Sequence, residues 1–200
     1  MDEQYFEYGE VELAHLRKND KKLGAAIDRI GMIKRRVNPD LFSALVESVI
    51  GQQISNKAAA TVRDRLDVRC GMDANRLHSL PLDEIQACGM SMKKATYIKN
   101  IADAAVNKGI DFYELPKKSD REIITALTNI KGIGVWTAEM LLIFSLMRPN
   151  MVSYGDLAIR RGMMQLYGIK ELSKEQFTRY AKHYSPYGSV ASLYLWEMSH

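Results

Sequence analysis

Asp156 is the residue whose setting is most suited to chemistry, because it is an isolated carboxylate directly after a Tyr-Gly turn. The apolar segment that starts at Leu157 follows it, so Asp156 lies where a helix is predicted to begin. An aspartate in that position can serve simply as an N-cap. It can also be an ionised carboxylate, held by the helix dipole, beside a site where positive charge develops. Position alone leaves both roles open.

A second candidate site is the glycine turn formed by Lys131, Gly132, Ile133 and Gly134. One helix is predicted to end near Asn129 and another to begin near Val135, which gives a helix–hairpin–helix over about residues 119–147. The exposed amides of such a turn and the N-terminal dipole of the second helix form an anion site, which a DNA phosphate would suit. A plain turn that binds nothing fits the same residues.

The helix after this turn is apolar around most of its circumference, which predicts that it is buried. Its apolar residues are Trp136, Met140, Leu141, Leu142, Ile143, Phe144, Leu146 and Met147.

Helical periodicity dominates the elements that must position these residues. The predicted helix starts are an N-cap at Asp40, an N-cap at Ser91 and a capping box formed by Ser119 and Glu122. The helix after Ser91 is predicted to end at Lys108-Gly109. Further helices are predicted over about residues 157–166, 173–184 and 189–196. The N-terminal QYFEYGEVEL could form a short extended segment, and residues 115–118 are the best internal joint.

The composition is not that of a disordered protein or a membrane protein. The chain has 200 residues, 46% of them hydrophobic and 26% charged, which favours a folded domain or two small lobes. The net charge of +4 is compatible with a polyanionic partner without demonstrating one. Its two cysteines, Cys70 and Cys88, are interpreted as reduced core residues, and the four histidines show no metal-ligand spacing. Lys93 and Lys94 are interpreted as a solvated face.

Four stretches, in order, resemble the helix–hairpin–helix DNA glycosylase superfamily, and most closely its 3-methyladenine DNA glycosylase II (alkylbase) family. They are LVESVIGQQIS (residues 45–55), GMSMKKATYIKNIA (89–102), IKGIGVWTAEMLL (130–142) followed by Asp156, and SPYGSVASLYLW (185–196). The resemblance implies an all-α fold of two helical lobes with the active-site cleft between them. It implies one catalytic unit over residues 1–200, without the N-terminal β-rich domain of longer members.

The resemblance also implies roles for individual residues. Asp156 matches the catalytic aspartate, and the base pocket corresponds to Trp136, Met140 and Trp196. The loop that fills the gap left by a flipped nucleotide corresponds to Gln52, Gln53 and Ile54, with Gln53 favoured as the wedge. The phosphate contacts correspond to Lys131, Gly132, Ile133, Gly134 and Arg160. A sodium or potassium ion could bind the backbone at Gly132 and Gly134.

Plainer interpretations of these residues stay open. Trp136 and Trp196 could be packing residues, the glutamines could be helix-end polar residues, and Arg160 could be solvated. The chain also departs from the family pattern at Met140, where some members have an aromatic residue, at Tyr184, where many have tryptophan, and at Gly188, where most have arginine.

The residue types suit the reaction that the resemblance implies. A glycosylase takes its base out of the stack, so it needs a wedge and an aromatic pocket. An alkylated purine is cationic and gains about 1–2 kcal/mol on a desolvated indole. One carboxylate can then stabilise an oxocarbenium-like sugar and orient water. Candidate substrates are 3-methyladenine and 7-methylguanine in duplex DNA. The alternatives are a glycosylase for neutral lesions (hypoxanthine, ethenoadenine or uracil) and a non-catalytic DNA-binding module.

Two further expectations concern cofactors and side activities. Lyase members of the superfamily form a Schiff base through a lysine two residues beyond the second hairpin glycine. Trp136 stands at that position, so we expect no β-lyase activity. Two cysteines cannot supply the four ligands of an iron–sulfur cluster, so we expect no cofactor. We expect a monomer that binds double-stranded DNA with a damaged base and does not bind membranes. We expect it in the cytoplasm, associated with the nucleoid, in a prokaryote, and in the nucleus in a eukaryote.

Overall fold

The computed structural model describes residues 3–107 and 109–199 and is predominantly helical, which confirms the all-α prediction. Two short antiparallel strands are present, β1 (Gln4–Tyr5) and β2 (Arg36–Val37). Over the described residues the α-helices are α1 (Glu10–Asn19), α2 (Lys21–Ile30), α3 (Leu41–Gly51), α4 (Asn56–Cys70), α5 (Ala74–Ser79), α6 (Leu82–Gln86), α7 (Met92–Val106), α8 (Asp120–Thr128), α9 (Val135–Phe144), α10 (Leu157–Tyr167), α11 (Lys174–Tyr184) and α12 (Gly188–Met198).

The chain divides into two compact units. The end unit contains the residues up to Val37 and those from Leu142 onward, and the middle unit runs from Asn38 to Leu141. The joint predicted at residues 115–118 is therefore wrong, because that segment lies inside the middle unit. Its Pro-Lys-Lys composition resembles a linker, but Leu115 is buried and anchors a short 3-10 helix over Leu115–Lys117.

Helix starts were predicted well because each depends on a side chain and the next few amides. Asp40 accepts a hydrogen bond from the backbone N–H of Ser43 at 3.1 Å, and the Ser91 hydroxyl accepts one from the N–H of Lys94 at 3.3 Å. Ser119 and Glu122 form the predicted capping box. The predicted end of α7 was too late, since the helix stops at Val106, and Lys108 lies outside the described residues.

The N-terminal part of the chain is more helical than its sequence suggested. The strand β1 covers only Gln4 and Tyr5, and α1 begins at Glu10 within the segment expected to be a short extended piece. The apolar pattern of the sequence also did not predict α4, a helix of 15 residues that buries only Val62, Leu66 and Cys70. A helix that buries so few residues leaves only a weak apolar stripe in the sequence.

In the middle unit, α7 packs against α3, α5 and α6. The two cysteines are buried there, as predicted for core residues, and desolvation raises the pKa of both thiols. Both are therefore poor nucleophiles at neutral pH. Among the described residues, no helix combines the length and the apolar character needed to cross a membrane.

The core of the end unit contains the packed pair α10 and α12. Gly162 of α10 lies against the main chain of α12, where a Cβ atom would overlap the carbonyl group of Leu195. Tyr184, the last residue of α11, is fully buried. Its hydroxyl lies 2.8 Å from the Tyr167 hydroxyl, and the Tyr167 hydroxyl donates a hydrogen bond to Asp20. Tyr184 is thus part of a buried polar network, in which burial raises the pKa of both phenols.

Gly188, at the start of α12, explains one departure from the family pattern. The residue is buried, and a Cβ atom there would lie 2.8 Å from Val152 Cγ2 and 3.0 Å from Asn150 Oδ1. Its backbone N–H donates to Asn150 Oδ1 at 3.3 Å. Asn150 therefore occupies the space next to the helix start, and an arginine at position 188 would not fit without rearrangement.

Candidate active site

Asp156 is the N-cap of α10, as predicted, and it has a second structural partner. Its Oδ1 atom accepts a hydrogen bond from the backbone N–H of Ile159 at 2.9 Å and another from Trp196 Nε1 at 3.2 Å. The residue is only 7% exposed. A carboxylate that is buried at a helix N-terminus and bonded by two N–H donors is held in one orientation. The cap role and a chemical role are compatible with the same geometry.

The indole that contacts Asp156 belongs to an aromatic pair within the end unit. The Trp196 and Phe144 ring centroids are 5.2 Å apart with an interplanar angle of 33°, and the Arg35 guanidinium lies 5.0 Å from the Phe144 centroid. Trp196 was a predicted pocket residue. Phe144 appeared in the sequence only as an apolar residue of α9, and Arg35 only as one of several basic residues. No sequence signal separated either one from ordinary core or surface residues.

The helix–hairpin–helix motif is formed by α8, the glycine turn and α9, within the range predicted. Gly132 has φ of +108°, and a Cβ atom at this residue would overlap the ring of Tyr97. The Asn100 side chain donates to the Lys131 carbonyl oxygen at 3.0 Å. Among the described residues, no atom beyond the adjacent residues of the chain lies within 4 Å of the position that a Cβ atom of Gly134 would take. The turn is therefore packed at Gly132 and open to an approaching backbone at Gly134.

The first turn of α9 is less buried than its composition predicted. Trp136 is 43% exposed and Val135 is 55% exposed, whereas Ala138, Leu141 and Leu142 are buried. The prediction of burial all round is thus wrong for the start of α9, where Val135 and Trp136 are exposed. Trp136 and Met140 belong to the middle unit, and Asp156 and Trp196 to the end unit. A direct hydrogen bond joins Trp196 to Asp156.

The predicted wedge residues form the turn between α3 and α4. Gln53 has φ of +57°, in the left-handed region, and its side chain is exposed. Ile54 is 39% exposed, and Gln52 is half-buried. Non-glycine residues seldom adopt this conformation, and when they do it often marks a functional position. The turn presents Gln53 and Ile54 outward, where they can reach a partner molecule.

Arg160, a predicted phosphate contact, is half-buried on α10 rather than fully solvated. Its guanidinium lies 5.3 Å from the ring centroid of Tyr154, and Lys174 Nζ lies 5.9 Å from the same ring. Within the described part of the chain, the buried Arg160 Nε has no hydrogen-bond partner. Two cationic groups thus lie beside Tyr154, an arrangement that suits an anionic ligand.

The glycine hairpin between α8 and α9 makes this a helix–hairpin–helix protein. The buried carboxylate of Asp156, which caps α10 and accepts a hydrogen bond from an indole, is a feature expected of a base-excision enzyme. The chain belongs to the HhH-GPD superfamily of base excision DNA repair proteins, whose family model matches residues 46–186. The superfamily resemblance drawn from the four sequence stretches is thereby confirmed.

Comparison with individual proteins agrees with this assignment. The chain is 30% identical over 196 residues to DNA-3-methyladenine glycosylase 1 of Schizosaccharomyces pombe, covering 95% of this chain and 86% of that protein. The crystal structure of a Bacillus halodurans DNA-3-methyladenine glycosidase matches with a TM-score of 0.87 and 33% identity, over 98% of this chain and 92% of that one. The S. pombe 3-methyladenine DNA glycosylase in complex with abasic DNA matches with a TM-score of 0.80 and 29% identity, over 94% and 95% of the two chains.

Proposed function

We propose that this protein is a DNA glycosylase that releases alkylated purines, such as 3-methyladenine and 7-methylguanine, from duplex DNA. The observation that carries the proposal is the buried Asp156, whose Oδ1 atom is fixed by the helix N-terminus and by Trp196. A carboxylate held in this way can stabilise positive charge without reorganising. The names of the relatives, which are 3-methyladenine glycosylases, support the substrate class.

The proposed reaction needs little from the protein besides positioning and one negative charge. The bond between C1′ of the deoxyribose and the base nitrogen breaks, and its electron pair neutralises the departing cationic purine. The sugar becomes oxocarbenium-like, and the Asp156 carboxylate stabilises it electrostatically. Water then attacks C1′ and gives up a proton to the carboxylate, which acts as the base. The products are the free base and an abasic site.

The same proposal gives the hairpin and the wedge turn their roles. The open backbone at Gly134, the exposed Lys131 and the N-terminus of α9 would bind a DNA phosphate. Gln53, presented by the turn after α3, would enter the gap left by the flipped nucleotide. Trp136 and Met140 would contribute aromatic and polarizable surface to the base pocket. We expect the protein to do this as a monomer.

An alkali ion at the hairpin is compatible with the residues present. The carbonyl oxygens of Ile130 and Lys131 each accept one hydrogen bond, from Ile133 N–H and from Asn100 respectively. A carbonyl oxygen has a second lone pair, and oxygen ligands suit a hard cation. These carbonyls would hold the ion together with that of Gly132 and that of Gly134, which also accepts a hydrogen bond from the Ala138 N–H at 3.1 Å. Its charge would add to the attraction for a phosphate.

The first test is release of free base from methylated duplex DNA, separated by chromatography. We expect 3-methyladenine and 7-methylguanine in the soluble fraction.

One observation favours the neutral-lesion alternative: the Arg35 guanidinium near Phe144 places positive charge beside the aromatic pair. Parallel assays with duplexes that contain hypoxanthine or ethenoadenine distinguish the two. Release of neutral bases alone would reject alkylpurines as the substrate class.

We predict that the wild-type enzyme lacks β-lyase activity, because Trp136 occupies the position that would need an amine. Incubation with an abasic duplex and sodium borohydride should trap no covalent protein–DNA adduct, and strand cleavage should require added alkali. A lyase member of the superfamily serves as the positive control. A trapped adduct that maps to a lysine of this chain would contradict the monofunctional assignment.

Replacing Trp196 with phenylalanine should lower base release by about ten- to a hundred-fold, as expected when a catalytic group loses one orienting hydrogen bond. The phenyl ring keeps apolar contact with Phe144 but cannot donate to Asp156 Oδ1. Single-turnover rates on one lesion duplex measure the effect. The matched comparison is Phe144→Leu, which removes an aromatic ring from the pair and leaves the hydrogen bond. A full rate for Trp196→Phe would show that the indole N–H does not position the carboxylate.

A further inference from the structure

Lys94 makes an unexpected contact with the end of α3. Its Nζ atom donates to the backbone carbonyl of Ile50 at 2.8 Å, across 44 positions of sequence. The side chain is half-buried, and burial lowers the pKa of its amine. The last carbonyls of a helix have no intrahelical partner, and a cation there is favourable. The interpretation of Lys94 as part of a solvated face is therefore wrong.

The backbone hydrogen bonds of the turn that follows α3 are long. The Gln52 N–H donates to the Val49 carbonyl at 3.3 Å, and the Ile54 N–H donates to the Gly51 carbonyl at 3.5 Å. Both distances are beyond the usual optimum for such bonds. Gln53 nevertheless holds a left-handed conformation. The strained turn therefore depends on how firmly the end of α3 is fixed, and Lys94 bonds to the carbonyl directly before Gly51.

The same face of α7 also supports the glycine hairpin. Tyr97, three residues after Lys94, fills the space that a Cβ atom of Gly132 would occupy. Asn100, three residues further on, donates a hydrogen bond to the Lys131 carbonyl. Residues spaced by three lie on one side of a helix. At 1.5 Å per residue, Lys94 and Asn100 are about 9 Å apart along the helix axis. All of these residues lie in the middle unit.

We infer that Lys94 is a positioning residue for the wedge turn, and that this face of α7 sets the wedge turn at a fixed spacing from the phosphate-binding hairpin. The inference rests on the proposed function, because it assumes that both turns contact the same DNA strand. Without Lys94, the hairpin still binds DNA, but the Gln53 turn is no longer held in the orientation that fills the gap left by a flipped nucleotide.

The test compares Lys94→Met with Lys93→Met. Lys93 is adjacent and exposed, and its Nζ lies 5.8 Å from the ring centroid of Tyr97, so this control removes a lysine of the same helix while the bond to the Ile50 carbonyl is kept. Each protein is titrated onto a duplex that carries an abasic-site analogue next to 2-aminopurine, whose fluorescence reports local unstacking and needs no catalysis. Wild type and Lys93→Met should give the full fluorescence change at saturation. Lys94→Met should bind the duplex through its hairpin yet give only a small part of that change. Lys94→Arg, which keeps a cationic donor, should restore it.

A second readout uses excision of one lesion, either paired in duplex or unpaired in a bulge. Lys94→Met should lower the paired-to-unpaired rate ratio by about ten-fold relative to Lys93→Met, since small misplacements of positioning groups cost about that much or more. An unchanged ratio and an equal fluorescence change would overturn the positioning role. If wild type releases no base at all, the proposed function fails, and the fluorescence titration still decides the role of Lys94. If Lys94→Met does not fold, as judged by circular dichroism, Lys94→Gln is measured in its place.

Discussion

Asp156→Asn is expected to lower base release by about 10²–10³-fold, the scale on which a preorganised electrostatic group contributes to catalysis. Asparagine is as good an N-cap as aspartate, so the bond from the Ile159 N–H can be kept. The amide oxygen can also still accept from Trp196 Nε1. The substitution therefore removes the negative charge while it preserves the geometry. Single-turnover release of 7-methylguanine measures the loss, and thermal unfolding confirms that the fold is intact.

The chain offers a matched control at the start of α3. Asp40 is also an N-cap, and its carboxylate accepts a hydrogen bond from the Ser43 N–H at 3.1 Å. Asp40→Asn makes the same chemical change at the same kind of helix terminus, but in the middle unit, whereas Asp156 and the aromatic pair belong to the end unit. Its rate of base release should equal that of wild type. Comparable losses in both variants would mean that removing the charge of any helix-capping carboxylate lowers the rate, and would contradict a specific chemical role for Asp156.

Gly162→Ala is expected to cost about 3 kcal/mol of unfolding free energy, the upper part of the usual range for overpacking. The added Cβ would overlap the Leu195 carbonyl group, which belongs to the backbone of α12 and cannot rotate away. The only relief is to move α10 and α12 apart. In a protein of this size that cost corresponds to a fall of about 6–12 °C in Tm. Scanning calorimetry or circular dichroism measures the shift.

The control for this prediction is Gly51→Ala. Gly51 also lies in a helix, and in the part of the chain that the structure describes no neighbouring atom lies within 4 Å of the position that its Cβ would take. Alanine is favoured over glycine in helices, so this variant should be unchanged or more stable by about 0.5–1 kcal/mol. Equal stability of the two variants would show that α10 and α12 do not pack as closely as the structure has them.

Much of the local structure could be predicted because its causes lie within a few residues. Asp40, Ser91, Ser119 and Asp156 cap the helices that follow them, since a cap depends on one side chain and the amides two or three positions later. The glycine hairpin was placed correctly for the same reason. Helices that bury little, such as α4, were missed because their apolar pattern is weak.

The sequence by itself determined the helical class, the principal helix starts, the glycine turn and the position of one carboxylate at the head of a helix. Only the tertiary structure decided which residues meet there. Trp196 reaches Asp156 across 40 positions, and Lys94 reaches Ile50 across 44. Such contacts depend on how helices pack in three dimensions, and a helical pattern specifies which face is apolar but not its partner. For that reason Lys94 looked like a solvated lysine in the sequence and became a candidate positioning residue in the fold.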